Sequence, residues 1–90
     1  MDGKTMFPIE MISMTTTQGD ITPIRFRYET PEHELIVVHV DDIHGRKEMT
    51  IGKGGSIIYT CSSTIEDTRV MYELRYEIGT HKWIFNGRLS

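Results

Sequence analysis

The side chains that could carry chemistry are concentrated in one short segment, His39 to His44, which reads HVDDIH. On a strand, His39 and Asp41 would share a face, and His44 would approach them if the chain bends at Gly45. Imidazole and carboxylate groups placed in this way are ligands for divalent metals. The chain has no cysteine pair and no further histidine at a supporting spacing, so local hydrogen bonding at a strand end is the favoured interpretation. We therefore expect neither a metal ion nor another cofactor.

Catalytic pairs do not emerge from the sequence. Asp41 and Asp42 are adjacent, so on a strand they point to opposite faces and cannot act as a paired acid and base. The single cysteine, Cys61, alternates with Ile57 and Tyr59, which is typical of a small core residue. A cysteine nucleophile would need a nearby base, and the sequence nominates none. We predict no catalytic residues and no enzymatic activity.

The glycine-rich segment GKGGS, residues 52–56, invites comparison with a phosphate-binding loop. A P-loop requires the spacing G-x-x-x-x-G-K-[ST] between a strand and a helix. Here Lys47 stands where the first glycine is needed, Gly54 stands where Ser or Thr is needed, and the following residues have a strand pattern. We predict a hairpin turn around Lys53, with an anion-binding nest of loop amides as the less favoured alternative.

Length and composition indicate one small domain. The chain has 90 residues, and with one cysteine it cannot form an intramolecular disulfide. We predict a single domain over residues 7–90, preceded by a disordered tail at residues 1–6. The lone cysteine and the absence of a signal peptide or a membrane-length apolar run favour a cytoplasmic protein with no membrane association. Because so small a core stabilises weakly, self-association is the expected additional source of stability.

Charge argues against a dedicated nucleic-acid protein. The formal net charge is −3, and basic and acidic residues alternate along the chain without a basic block. Nucleic-acid binding stays open as the alternative function only if folding gathers basic side chains onto one face. The candidates for such a face are Arg25, Arg27, Arg46, Lys47, Lys53 and Lys82.

The first half of the chain is patterned as strands. In ITPIRFRYE, residues 21–29, the apolar side chains Ile24, Phe26 and Tyr28 alternate with charged ones, which indicates a half-buried strand. The preceding FPIEMISMTT and the turn QGD predict a hairpin over residues 7–29. Pro8 and Pro23 cannot donate to a ladder, so each should lie at a strand start, an edge or a bulge. The apolar run ELIVVHVDD predicts a central strand, and a weaker strand with a bulge at Gly45 should follow.

The last third carries the clearest alternation. In RVMYELRYEI, one face should present Val70, Tyr72, Leu74, Tyr76 and Ile78, and the turn GTH leads into KWIFN with Trp83 and Phe85 on one side. We predict an all-β protein, an antiparallel meander of six or seven strands that forms a small, partly open barrel. A single curved sheet that dimerises through its apolar face is the alternative.

Five segments of the sequence carry a resemblance to a known group of proteins: TPIRFRYE, VHVDDI, RKE, YTC and the late YELRYEIGTHKW. Over most of residues 21–85, the chain resembles small uncharacterised all-β proteins of Gram-positive bacteria. The resemblance implies one compact module and no particular activity. Its matching positions are those that the alternation assigns to the core: Phe26, Tyr28, Tyr59, Tyr72, Leu74, Tyr76 and Trp83.

These observations favour a small interaction module that binds another protein, with a homodimer through a strand edge as the expected assembly. A nucleic-acid accessory protein ranks second, because it needs the basic face described above. An enzyme ranks last, because it needs a pocket with convergent polar groups.

Overall fold

The computed structural model of the protein describes residues 5–51 and 54–88. Within these ranges every regular element is a β-strand, as the two-residue alternation predicts. The seven strands are β1 (Thr5–Thr15), β2 (Ile21–Glu29), β3 (Leu35–His39), β4 (Asp42–Ile51), β5 (Gly54–Ile65), β6 (Thr68–Glu77) and β7 (Lys82–Gly87).

The strands form one antiparallel sheet in the order β3-β2-β1-β7-β6-β5-β4, which curls into a half-barrel. β1 joins the two halves of this sheet, because its residues 5–9 pair with β7 and its residues 10–15 pair with β2. The predicted meander and partly open barrel are confirmed. The opening, however, lies between β3 and β4, which follow each other in the chain, and the first and last strands are paired.

Both prolines of the first hairpin occupy positions where a missing N–H is tolerated. Pro8 lies opposite Ile84 in the part of β1 that pairs with β7 alone. Pro23 lies opposite Ser13, where the β1–β2 register shifts. It also precedes Arg25, the first residue of β2 that pairs with β3. The expectation that prolines mark bulges and edge segments is therefore confirmed.

The same register shift corrects one assignment of the core face. Arg25 pairs with Ile12 and Pro23 with Ser13, so Ile24 is the extra residue of a bulge. Ile24 is consequently exposed and Pro23 is buried. The prediction that Ile24 shares the buried face with Phe26 is wrong. Ile78 is also exposed, because β6 ends one residue before it.

Phe85 lies at the centre of the core, where the two halves of the sheet face each other. Its ring stacks on Phe7 and Tyr72, with centroids 5.1 Å and 5.3 Å away, and it meets Phe26 at 5.9 Å. The core otherwise contains the residues that the alternation predicts, with Tyr28 half-buried at its margin. The buried apolar residues are Phe26, Val38, Ile57, Tyr59, Cys61, Ile65, Tyr72, Leu74, Tyr76, Trp83 and Phe85.

Gly87 permits the close approach of β7 to β6. A Cβ at this position would lie 2.8 Å from the Cβ of Tyr72 and 3.2 Å from the ring of Phe85. Real Cβ atoms do not come this close, so a larger residue would push these rings out of their stack. The glycine is thus part of the core packing.

β3 differs from its predicted place. Its apolar sequence predicts a central strand, but β3 is an edge strand that pairs with β2 only. Its outward side chains Leu35 and Val37 are 59% and 56% exposed, whereas Val38 is buried. An apolar sequence indicates that a strand tends to be buried, but it does not determine which strands pair. Because the sheet continues from β2 through β1 to β7, β3 is left with one neighbour.

The register shift between Ile43 and Gly45 confirms the predicted bulge in β4. Thr5 and Met6, expected in the tail, already pair with β7, and residues 1–4 lie outside the described part of the chain. β4 and β5 are antiparallel with Ile51 opposite Gly54, but the predicted turn residues Gly52 and Lys53 themselves lie outside the described residues.

Candidate functional site

The free edge of β3 presents backbone groups that pair with no other strand. The bonds from Thr30 N to Glu34 O (2.8 Å) and from Val40 N to Ile24 O (2.9 Å) bracket the β2–β3 ladder and set its phase. Because antiparallel pairs alternate, even-numbered residues of β3 bond to β2, and the N–H and C=O groups of odd-numbered residues point away from it. These odd-numbered residues are Leu35, Val37 and His39. Within residues 5–51 and 54–88, no strand pairs with this side.

Exposed apolar side chains accompany this edge. Leu35 and Val37 on β3 share the first half of the sheet with exposed apolar residues of β1 and β2, namely Ile12, Met14 and Ile24. A shallow groove of about 430 Å³ runs across the outer face of these strands, between Val37, Arg25 and Ile12. Edge and groove together form a surface on which an extended segment can bond through its backbone and place side chains against apolar walls.

The other edge, β4, is protected in the ways that natural edge strands usually are. A bulge interrupts β4 near Gly45, and charged residues follow it. Arg46 bonds to Glu48 at 3.2 Å, and Lys47 is exposed. Bulges and charges on an edge discourage pairing with another chain. β3 has neither between Leu35 and His39, so it is the edge better suited to binding.

The HVDDIH segment forms a polar network where β3 passes into β4. Asp41 accepts hydrogen bonds from Arg69 at 3.0 Å and from the backbone N–H of Thr64 at 3.2 Å. Asp42 also pairs with Arg69, and His44 Nε2 bonds to the hydroxyl of the buried Ser62 at 2.8 Å. The network fastens this passage to β5 and β6.

The metal candidates are not brought together. Asp41 and His44 are engaged by other partners, and His39 lies opposite Arg25 on the β2 side. Among the residues that the structure describes, no three His, Cys, Asp or Glu side chains are placed to hold a metal ion. Ser62 does contact a histidine, but it is buried beneath the network, so it is not presented to a substrate.

Ser63 fastens the end of β3 to β5, a role that the sequence analysis missed. Its hydroxyl donates to the backbone carbonyl of His39 at 2.6 Å. Because its one proton is used there, the hydroxyl of Tyr72 must donate to Ser63. Both Ser63 and Tyr72 are buried. The available signal was the position of Ser63, which continues the buried alternation of Tyr59 and Cys61.

Ser63→Ala is expected to destabilise the protein by about 1 to 3 kcal/mol, because it leaves the Tyr72 hydroxyl and one lone pair of the His39 carbonyl without their partner. Urea unfolding followed by tryptophan fluorescence measures this loss. Thr64→Ala is the matched control, since its exposed side chain should contribute no more than about 0.5 kcal/mol. Equal effects of the two variants would show that the hydrogen bonds of Ser63 do not stabilise the attachment of β3 to β5.

The basic candidates lie on three separate strands. Arg25 and Arg27 project from β2, Arg46 and Lys47 from β4, and Lys82 from β7. Several stand beside carboxylates: Arg27 pairs with Glu10, Arg46 with Glu48, and Lys82 lies opposite Glu77. Arg46 also lies over the ring of Tyr59, 5.9 Å from its centroid. Lys53, the remaining candidate, lies outside the described residues.

A concavity of about 620 Å³ lies beside Phe7, Tyr28 and Ile65 at one end of the half-barrel. Glutamates such as Glu29 and Glu66 stand at its rim. Burial, with a smaller effect of the Glu66 carboxylate, raises the pKa of the Tyr28 hydroxyl. Of the residues described, no histidine, cysteine or serine lines this concavity.

Cys61 is a core residue, as its alternation predicts. The side chain is fully buried, and burial raises the pKa of its thiol to about 12. Since the thiolate is the reactive form, the thiol of the folded protein is inert near neutral pH. Burial also raises the pKa of the neighbouring Tyr72 to about 12, the bond with Ser63 opposing this rise.

Comparison with protein-family models, with curated proteins and with solved structures finds no match for this chain. A search of the described residues for a helix long and apolar enough to cross a membrane finds none. The candidate site therefore has to be interpreted from its own geometry, and the free edge of β3 is its most distinctive feature.

Proposed function

We propose that this protein is a non-catalytic interaction module that binds an extended segment of a partner protein by adding it as a strand beside β3. One observation carries the proposal: β3 is an apolar, uncharged edge whose outward side pairs with no strand in residues 5–51 and 54–88, and of its outward carbonyls that of His39 accepts a hydrogen bond from Ser63. In strand addition the main-chain bonds supply affinity, and contacts of alternate side chains supply specificity.

The surroundings of the edge support this mode of binding. An added strand would lie about 4.8 Å from β3 and place its outward side chains beside Leu35 and Val37. The long side chain of Arg25, on the next strand, is exposed and can reach toward a carboxylate of the bound segment. We further propose a cytoplasmic location, since a single, fully buried thiol suits a reducing compartment.

A peptide with the sequence of residues 33–41, HELIVVHVD, tests strand addition directly. We expect its titration to shift the backbone amide resonances of Leu35, Val37 and His39, because these residues form the free edge. Val37→Lys, which places a charge on the edge, should weaken peptide binding at least about tenfold. Met71→Lys is the matched control, because this exposed residue lies on β6, away from β3 and outside the groove.

Resonance shifts confined to β4, or no shifts at millimolar peptide, would contradict the proposal. The same titration with single-stranded and duplex DNA examines the alternative function. Nucleic-acid binding that weakens steeply with added salt would favour that alternative, because such a dependence reports phosphate contacts.

A further inference from the structure

The concavity of about 620 Å³ at the end of the half-barrel is a binding surface distinct from the β3 edge. We infer that this end concavity binds the basic side chains of a segment of a partner protein. Its borders are the start of β1, the end of β2 with the turn after it, and the end of β5 with the turn after it. The inference goes beyond the proposed function, because none of the described lining residues belongs to β3.

Aromatic and apolar side chains form the wall of the end concavity. Phe7 and Tyr28 meet edge to face, with ring centroids 5.4 Å apart and planes inclined at 61°. Both rings are half-buried and Ile65 is buried, and the stack of Phe7 on Phe85 anchors the wall in the core. A rigid wall of this kind accepts the aliphatic stem of a lysine or arginine, and the ring faces attract its charged end.

The charged side chains that line the end concavity are carboxylates, those of Glu29, Glu32 and Glu66. Among the described residues, no Lys, Arg or His lines it. Glu29 bonds to His33 at 2.7 Å, whereas no described cation lies within ion-pair distance of Glu32 or Glu66. Charge complementarity therefore selects a cationic occupant and disfavours nucleic acid.

The Glu66 carboxylate acts on the aromatic wall itself. Burial is the main cause of the raised pKa of the Tyr28 hydroxyl, and the negative charge of Glu66 adds to it. The carboxylate is thus close enough to influence the ring. A cation held between the two is favoured by the carboxylate and by the ring face together.

The turn that carries Glu66 does not by itself call for a glutamate. Ile65 lies opposite Thr68, so Glu66 and Asp67 are the two central residues of the β5–β6 turn, with φ of 50° and 66°. Asn, Asp and Gly are the residues that favour such positions. A binding role for the carboxylate gives a reason for glutamate at residue 66 that the backbone does not.

Size and position favour a polypeptide over a free amine. A volume of about 620 Å³ exceeds what the ammonium group of one lysine fills, and the carboxylates come from two separate turns. The turn that supplies Glu32 is closed by the bond from Thr30 N to Glu34 O and leads directly into β3. One partner protein can therefore contact both the end concavity and the β3 edge.

Titration of the isotope-labelled protein with a capped trilysine peptide at low salt tests the inference. We expect the ring resonances of Phe7 and Tyr28 and the amide resonance of Glu66 to shift, and the affinity to fall as salt is added. Glu66→Asn should weaken binding about threefold to fivefold, because one carboxylate is lost. Asp67→Asn is the matched control, since it removes the same charge from the same turn but Asp67 does not line the concavity. Asparagine tolerates positive φ, so both variants should fold, and circular dichroism verifies this.

The aromatic wall is tested separately. Tyr28→Leu should weaken trilysine binding about threefold, because it keeps an apolar side chain but removes the ring face. Tyr28→Phe, which keeps the ring, should bind trilysine as the wild type does. Equal affinities of Tyr28→Leu and wild type would overturn the role of the ring.

The remaining outcomes separate the inference from its rivals. Equal weakening by Glu66→Asn and Asp67→Asn would show that trilysine responds only to net charge, and this overturns the inference. Binding of n-butylammonium as tight as that of trilysine would overturn the polypeptide occupant. Val37→Lys, which blocks the β3 edge, should leave trilysine binding unchanged within about twofold. Loss of strand addition and loss of this site are therefore distinguished in the same set of variants.

Discussion

Trp83→Ala unfolds the protein or leaves it barely folded. Trp83 is 7% exposed and packs on Tyr76 and Tyr59, with ring centroids 5.0 Å and 5.7 Å away. Truncating a buried aromatic side chain costs about 3 to 5 kcal/mol, because transfer energy is lost and a cavity remains. A domain of this length has a total stability of roughly 5 to 13 kcal/mol, so the substitution removes a large part of it.

Thermal unfolding followed by circular dichroism measures the effect without requiring the tryptophan. Ile84→Ala is the matched control, since Ile84 is the next residue on β7 and is only half-buried on the outer face. We expect that control to cost about 1 kcal/mol. A melting curve of Trp83→Ala close to that of the wild type would remove Trp83 from the core and make it a candidate for binding.

Stability is expected to fall steeply at alkaline pH. Burial raises the pKa of Cys61 from 9.0 to about 12 and that of Tyr72 from 10.0 to about 12. Near pH 7 both groups are neutral in the folded and unfolded chains. As the pH rises from 9 toward 12, the unfolded chain loses these protons first, so it is increasingly favoured. Each group contributes up to about 1.4 kcal/mol of lost stability per pH unit within its window.

Urea unfolding at about pH 8 and about pH 11 should differ by on the order of 2 to 4 kcal/mol. Cys61→Ala isolates the contribution of the thiol, because other tyrosines and lysines also titrate in this range. The variant should start slightly less stable and lose less on going to high pH. Equal losses in wild type and variant would contradict a raised thiol pKa.

The core was predictable from the sequence because it depends on local alternation. Tyr72, Leu74 and Tyr76 are buried in the order that a period of two requires. Pro23 and Gly45 also marked their bulges correctly, since each residue has a backbone property that restricts where it can lie. Ile24 was misplaced because the extra residue of a bulge depends on the register with β1, which the β2 sequence does not contain.

The candidate site was less predictable because it depends on the order of the strands. A strand edge was expected to bind, but the apolar β3 was taken for a central strand. Leu35 and Val37 are exposed because β3 lies at the edge of the sheet. That position is set by pairings between strands distant in sequence, above all β1 with β7. The contacts of Asp41 with Arg69 and of Ser63 with His39 also join residues that are distant in sequence. Residue spacing alone carries no information about such pairs.

The pairing of β1 with β7 makes folding depend on a long-range event. Thr5 lies opposite Gly87, so this ladder closes a loop that contains nearly all of the described chain. The entropic cost of loop closure is met before the contacts of the ladder stabilise it, and proteins dominated by such pairings fold in milliseconds to seconds. The hairpins β2–β3 and β5–β6 can form locally, but Phe7 and Phe85 meet only when the two ends of the chain have found each other. The first strand therefore acquires its place in the core only after the last strand is available.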